Sequence, residues 1–312
     1  MAVALVFPGQ GSQSVGMLAG LASAHPAIFE RTFAEASAVL GYDLWQLVCD
    51  GPAEKLNATE CTQPAMLAAG IATWRCWQEQ GGERPALVSG HSLGEFSALV
   101  CAGTLEFGAA IELVRFRGQA MQQAVPAGTG AMAAVLGLDD AEVEAACAEA
   151  AQGEVVEAVN YNSPGQIVIA GQAAAVERAI AAAKARGAKR AVTLPVSVPS
   201  HSSLMRGAAE RLRERLAAMD LRRPQIRYLS AVDVAEHVEP ADIAAILVRQ
   251  LASPVRWSAT VAALTAAGAT RLIECGPGKV LTALNRRIER RPEIQCQALE
   301  DAAALAAAVK GA

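Results

Sequence analysis

Aromatic residues are scarce in this sequence, at 4% of 312 positions, so its 53% hydrophobic content rests on small aliphatic side chains, alanine above all. That balance favours helices laid closely on a sheet over an aromatic-lined binding face. A basic excess is also missing. The formal net charge of −4 speaks against general nucleic-acid binding, while leaving room for a local basic face. No two of the seven cysteines have CxxC spacing, so a zinc or redox motif is not expected. Their odd number and wide scatter read as reduced thiols in a cytoplasmic protein. Long apolar runs are absent too: no stretch reaches the roughly 18 uncharged residues of a membrane span. The apolar start at 1–7 lacks a basic flank and is too short for a signal peptide.

The patterns that are present alternate strand and helix. A short apolar run at 3–7 is stopped by Pro8, Gly9 and Gly11 and reads as a buried strand entering a loop. A helix is predicted over 64–80, a second strand over 86–89 and a helix over 93–101, which puts Gly90 to Gly94 at a strand-to-helix turn. Such alternation argues for a parallel sheet covered by helices. The middle of the chain reads strand 131–136, helix 139–151, strands 154–159 and 166–170 joined by a turn at 160–165, helix 173–186 and strand 191–198. This β-α-β-β-α-β order is ferredoxin-like, and residues 128–197 are expected to form a small subdomain interrupting a larger one made of 1–127 and 198–312. A helix at 204–219 and strands at 226–230 and 271–274 are expected in the remainder.

Gly90-His91-Ser92-Leu93-Gly94 fits the G-x-S-x-G nucleophile elbow. Small residues are needed at both ends because the turn is tight, and Ser92 is lifted to a helix N-terminus where free N–H groups favour negative charge. A serine nucleophile needs a base, and only four histidines exist. His25 precedes Pro26 at a helix start and His237 lies in a charged loop, so both read as surface residues. His91 adjoins the serine and should point away from it. His201 remains, near a strand end where sites form in α/β sheets, and is the candidate base. The glycine-flanked Gln10 ends the first strand and is a candidate backbone oxyanion donor. Its loop lacks the spacing of a phosphate loop, so nucleotide binding is disfavoured. Arg115 and Arg117 share a helix predicted over 107–122; either, turned inward, offers a fork for a carboxylate, and composition does not choose between them.

Together with Phe7-Pro8-Gly9-Gln10-Gly11-Ser12-Gln13, Thr62-Gln63-Pro64-Ala65, Gly90-His91-Ser92-Leu93-Gly94-Glu95, Arg117-Gly118, Asn160-Tyr161-Asn162-Ser163-Pro164-Gly165-Gln166, Pro195-Val196-Ser197-Val198-Pro199-Ser200-His201 and Glu274-Cys275-Gly276-Pro277-Gly278, these features are similar to the malonyl-CoA:acyl carrier protein transacylases of bacterial fatty-acid synthesis. The resemblance runs nearly end to end. It implies an α/β-hydrolase-like core with a ferredoxin-like subdomain. It further implies Ser92 as the acylated nucleophile, His201 as its base and the N–H groups of Gln10 and Leu93 as the oxyanion hole. Arg117 would hold the malonyl carboxylate with Gln63 near the site, and the carbonyl of Gln250 would orient the histidine. Phe96 stands where many members carry tyrosine. The implied partners are malonyl-CoA and acyl carrier protein, with no cofactor, no metal, no nucleic acid and no membrane, and with a monomer as the expected state. Carrier proteins are acidic, which draws notice to Arg286, Arg287, Arg290 and Arg291 and to Lys189 with Arg190. Competing readings are a lipase-type serine hydrolase, an acyltransferase of a related pathway with another acyl group, and a non-catalytic carrier-binding module. A hydrolase of that type would place an acid and then a late histidine after the serine, which the layout here does not suit.

Overall fold

The computed structural model describes residues 2–126, 128–196 and 198–311. The expected boundaries at 127 and 197 lie outside the described residues. The chain forms two compact units, one of 1–118, 220–242 and 260–312, the other of 119–219 and 243–259.

The first unit is built on a five-stranded sheet. Its strands are β1 (Ala2–Phe7), β2 (Leu87–Gly90), β7 (Arg227–Tyr228), β8 (Ala269–Glu274) and β9 (Gln295–Ala298), in the order β7-β2-β1-β8-β9. All four pairings are parallel. β1 lies in the centre, and Val3 to Phe7 are fully buried. That is why its sequence is a continuous apolar run: a central parallel strand is covered on both faces. β1 ends in register with β2, Phe7 opposite Gly90. The loops that follow these strands therefore leave the same sheet edge, where ligand sites form in α/β sheets.

The second unit contains a four-stranded antiparallel sheet of β3 (Gly130–Leu136), β4 (Val156–Ser163), β5 (Gln166–Gln172) and β6 (Arg190–Thr193), in the order β4-β5-β3-β6. Helices Asp140–Ala151 and Ala173–Ala185 complete the ferredoxin-like pattern. Ile167 and Ile169 of β5 join the core that includes Val143, Ala146, Val176 and Ala179 of these helices. Val168 and Ala170 point the other way and pack with Met132 and Val159, as strand alternation requires. Asp139 caps the first helix, its carboxylate accepting from the N–H of Glu142 at 2.9 Å. The fold class is thus α/β, an α/β-hydrolase-like parallel core with a ferredoxin-like part.

Several element limits differ from expectation. The helix expected from Pro64 spans Thr59–Glu79, with Pro64 inside it. Residues 160–163 belong to β4 instead of a turn: the pairing with β5 continues, Tyr161 opposite Ile167 and Ser163 opposite Gln166, and Tyr161 N–H also donates to Val255 O at 2.9 Å. The last strand of the small sheet stops at Thr193. Pro195 and Pro199 supply no N–H for a longer ladder, and Ser197 lies outside the described residues. β7 keeps two residues of the five expected. Among the described residues, no helix is long and apolar enough to cross a membrane.

Candidate active site

β2 ends at Gly90 and the next helix starts at Gly94, so the chain reverses within three residues. Ser92 takes φ 53°, the left-handed region that a side chain normally avoids. The two glycines make this turn possible. A Cβ on Gly90 would lie 2.0 Å from the carbonyl carbon of Gly94, and one on Gly94 would lie 2.0 Å from Phe7 O. Both collisions are with backbone, which no rotamer relieves. Leu93 occupies the N-cap position of the Gly94–Cys101 helix, so its N–H belongs to the turn whose donors have no partner within the helix.

The β1 loop is fastened against this elbow. Phe7 O accepts from His91 N–H at 3.0 Å, and Val6 O accepts from Cys275 N–H at 2.9 Å. Gly9 also needs to be bare, since a Cβ there would lie 2.5 Å from His91 O. Gln10 follows, half-buried, with its side-chain amide donating to Thr59 Oγ1 at 3.4 Å. Gln13 pins the loop, accepting from Gly11 N–H at 2.7 Å and donating to Asn57 Oδ1 at 2.8 Å.

Arg117 enters the same unit from the Phe107–Gln122 helix. Gly118 lets that helix approach closely, for a Cβ on it would lie 2.8 Å from Thr59 O. The guanidinium is 1% exposed. Its Nη1 donates to Gln63 Oε1 at 2.9 Å and its Nη2 to Ser92 Oγ at 3.3 Å. It also lies 5.4 Å from the centre of the Phe96 ring. Burial lowers the Arg117 pKa to about 10, with the charge of Glu95 opposing the fall, so the group stays cationic at neutral pH. Arg115 turns elsewhere and donates to Leu40 O at 3.1 Å.

His201 and Gln250 belong to the second unit. His201 is 3% exposed and, like Ser92, sits at positive φ, 66°. Its Nδ1 lies 2.8 Å from Gln250 O. A carbonyl only accepts, so Nδ1 carries the proton and Nε2 of the neutral ring is the basic nitrogen. β4 braces both partners. Glu157 accepts from Ser203 N–H at 2.7 Å and from its hydroxyl at 2.8 Å, holding the turn after His201. Val159 O accepts from Val255 N–H at 2.9 Å, holding the segment that follows Gln250.

Ser92, Arg117 and Gln63 are therefore brought together in one unit, beside the loop that carries Gln10, and His201 with Gln250 in the other. His25 and His237 are tied to carboxylates, at 2.9 Å from Glu79 and 3.1 Å from Asp233. The basic cluster is partly spent locally: Arg291 pairs with Glu289, and Arg286 donates to Cys296 O at 2.8 Å. Sequence reasoning missed Glu95 and Glu157 as supporting groups. The signal for Glu95 was one acid in an otherwise apolar helix, GEFSALVC. The bond of Glu157 to Ser203 spans 46 residues and left no local trace. Among the described residues, no cluster of three or more His, Cys, Asp or Glu is arranged to hold a metal ion.

The parallel-sheet unit thus presents a strained serine at a strand-helix turn, with a buried guanidinium at its hydroxyl. The sequence matches the acyl transferase domain family over residues 4–303, and the chain belongs to that family. It is 57% identical over 306 residues to the malonyl CoA-acyl carrier protein transacylase of Salmonella typhimurium, covering 98% of each chain. Among solved structures, it matches an acyl carrier protein S-malonyltransferase from Vibrio cholerae with a TM-score of 0.95 at 58% identity, covering 98% of this chain and 99% of that one. A malonyl-transacylase solved in complex with a holo type II PKS acyl-carrier protein matches with a TM-score of 0.98 at 54% identity over the whole of both chains.

Proposed function

We propose that this enzyme transfers a malonyl group from malonyl-CoA to the phosphopantetheine thiol of acyl carrier protein, in fatty-acid synthesis, through a malonyl-serine intermediate. Ser92 Oγ attacks the thioester carbonyl while Nε2 of His201 takes its proton. The C–S bond breaks, and the coenzyme A thiolate leaves with that proton. The carrier thiol then gives its proton to His201 and attacks the ester, which returns Ser92 to its hydroxyl. In both steps the developing oxyanion is assigned to the N–H groups of Gln10 and Leu93. Gln250 keeps the histidine in the tautomer that accepts at Nε2. No metal or cofactor is called for, because a thioester is already activated.

The observation that carries this reading is Arg117 Nη2 at 3.3 Å from Ser92 Oγ, in a guanidinium that is 1% exposed. An acyl group on Ser92 that ends in a carboxylate would meet that cation. A malonyl carboxylate buried there without that cation would cost about 3–5 kcal/mol, so Arg117 is what lets the site take malonyl. We assign residues 128–197 to the ferredoxin-like subdomain and 1–127 with 198–312 to the catalytic domain, working as a monomer. The cytoplasm is the compartment we propose, in keeping with seven cysteines that form no disulfide. Incubation with radiolabelled malonyl-CoA followed by peptide mapping tests the reading. Label is expected on the peptide holding Ser92 and absent from Ser92→Ala. Label on another residue, or label retained by the variant, overturns it.

A further inference from the structure

His201 lies in irregular chain between the end of β6 and the one-turn helix Ser203–Met205, and it holds φ 66°. A residue with a side chain keeps such a backbone only where its surroundings over-determine it. Its Nδ1 partner, Gln250 O, belongs to the last residue of the Pro240–Gln250 helix, so the 2.8 Å bond joins a turn to a helix end across 49 residues of sequence. β4 fastens both sides of that bond. Val156 and Ala158 belong to the core under the helices of the small sheet, so alternation turns Glu157 and Val159 to the opposite face. Val159 packs there with Met132, Val168 and Ala170. Glu157 is half-buried and spends both oxygens on one residue: Oε2 accepts from Ser203 N–H at 2.7 Å and Oε1 from Ser203 Oγ at 2.8 Å. Two short bonds to the same residue fix orientation as well as distance. Farther along the strand, Val159 O accepts from Val255 N–H and Tyr161 N–H donates to Val255 O, both at 2.9 Å. One strand thus grips the chain just after His201 and again just after Gln250.

We propose that Glu157 is a positioning residue for the base: its paired hydrogen bonds to Ser203 hold the turn at 200–203 so that His201 Nδ1 stays on Gln250 O and the ring keeps the direction and tautomer that make Nε2 basic. This rests on the malonyl-transfer reading above. Glu157 works through Ser203 and the backbone, not on a reacting atom, and what acts is the pair of bonds, not the charge. A misplacement of about 1 Å is enough to cost about a hundredfold in a positioned reaction. The groups assigned to the substrate carboxylate, Arg117 and Gln63, belong to the other unit. Loosening this turn therefore slows proton transfer without loosening the hold on malonyl-CoA.

The test reads the single-turnover rate of serine acylation by radiolabelled malonyl-CoA, and the dissociation constant of malonyl-CoA by calorimetry in a Ser92→Ala background. Glu157→Ala is expected to slow acylation about tenfold to a hundredfold and to leave the dissociation constant within about twofold. An unchanged rate, or binding weakened in proportion to the rate, overturns the proposal. Glu157→Gln is expected to stay within about threefold of wild type, because its oxygen accepts from Ser203 N–H and its NH2 donates to Ser203 Oγ, which accepts as well as donates. A Gln variant as slow as the Ala variant makes charge the active property and overturns the proposal. A cycle with His201 separates positioning from a general structural defect. Beside His201→Ala nothing is left to position, so adding Glu157→Ala should slow the residual rate by less than about twofold. If His201→Ala alone acylates near the wild-type rate, the base reading falls and this inference with it; if it is slow and Glu157→Ala multiplies the loss, Glu157 alone is dismissed. Should Glu157→Ala fail to fold, Ser203→Ala takes its place in the cycle. It removes one of the two bonds, so a loss of about threefold or more that vanishes beside His201→Ala is expected, and the absence of a loss overturns the proposal.

Discussion

Arg117 Nη2 donates to Ser92 Oγ at 3.3 Å, although 25 residues and a helix separate the two in sequence. Gln63 takes the other terminal nitrogen, so the guanidinium plane is fixed before substrate arrives. Arg117→Ala should lower kcat/KM for malonyl-CoA by about two to three orders of magnitude, from the cost of an uncompensated buried carboxylate. The same variant should gain on acetyl-CoA relative to malonyl-CoA, because only malonyl brings a carboxylate for that cation to hold. Specificity constants for both thioesters check this. A general defect slows both alike, and an unchanged malonyl-to-acetyl ratio would return Arg117 to the status of an ordinary helix arginine.

The glycines of the elbow make a prediction about folding. Gly94→Ala would place a methyl group 2.0 Å from Phe7 O and 2.7 Å from Phe7 C, in the centre of the parallel sheet. Either β1 or the elbow must shift, so the variant should lose at least several kcal/mol of stability or fail to fold. Gly207→Ala is the control. Nothing lies within 4 Å of a Cβ there, and the residue sits in the Arg206–Ala217 helix. Alanine should stabilise that position by up to about 1 kcal/mol. Urea midpoints of the two variants should move in opposite directions.

Elements whose causes are local were legible in the sequence. β1 is a continuous apolar run because it is central, and the elbow is written by glycines that backbone collisions demand. The small sheet announces itself through alternation and through caps such as Asp139. What could not be read depends on partners far along the chain. The bridge from Val255 to Asn160 of β4 has no local signal. β9 is four residues long and half-polar, and it exists because β8 offers it an edge. Arg115 and Arg117 are two residues apart, about 200° round a helix, so one had to face away from any given neighbour. Composition does not say which. Only the packing of Gly118 against Thr59 turns Arg117 toward Ser92 and leaves Arg115 to Leu40.

A third prediction concerns pH. Glu274 ends β8, is fully buried, and accepts from the N–H groups of Leu281 at 3.0 Å and Thr282 at 2.7 Å, at the start of the Val280–Ile288 helix. Burial outweighs these donors and raises its pKa from 4.5 to about 7. A carboxyl raised in the folded state favours the protonated form there. Its contribution to stability is therefore complete below about pH 4.5 and is lost as pH rises through 7. The loss is on the order of 3 kcal/mol across that window. Glu274→Gln removes the titration while keeping one oxygen acceptor. It carries a fixed cost, because its NH2 faces one of the two N–H donors, and that cost does not vary with pH. The difference between variant and wild type should thus move in the variant's favour from pH 5 to pH 8 and then level off. Urea unfolding of both proteins at intervals of half a pH unit provides the test. Stability curves that run parallel across the window would mean that Glu274 keeps an ordinary carboxylate pKa and that the helix N-terminus, not burial, governs its charge.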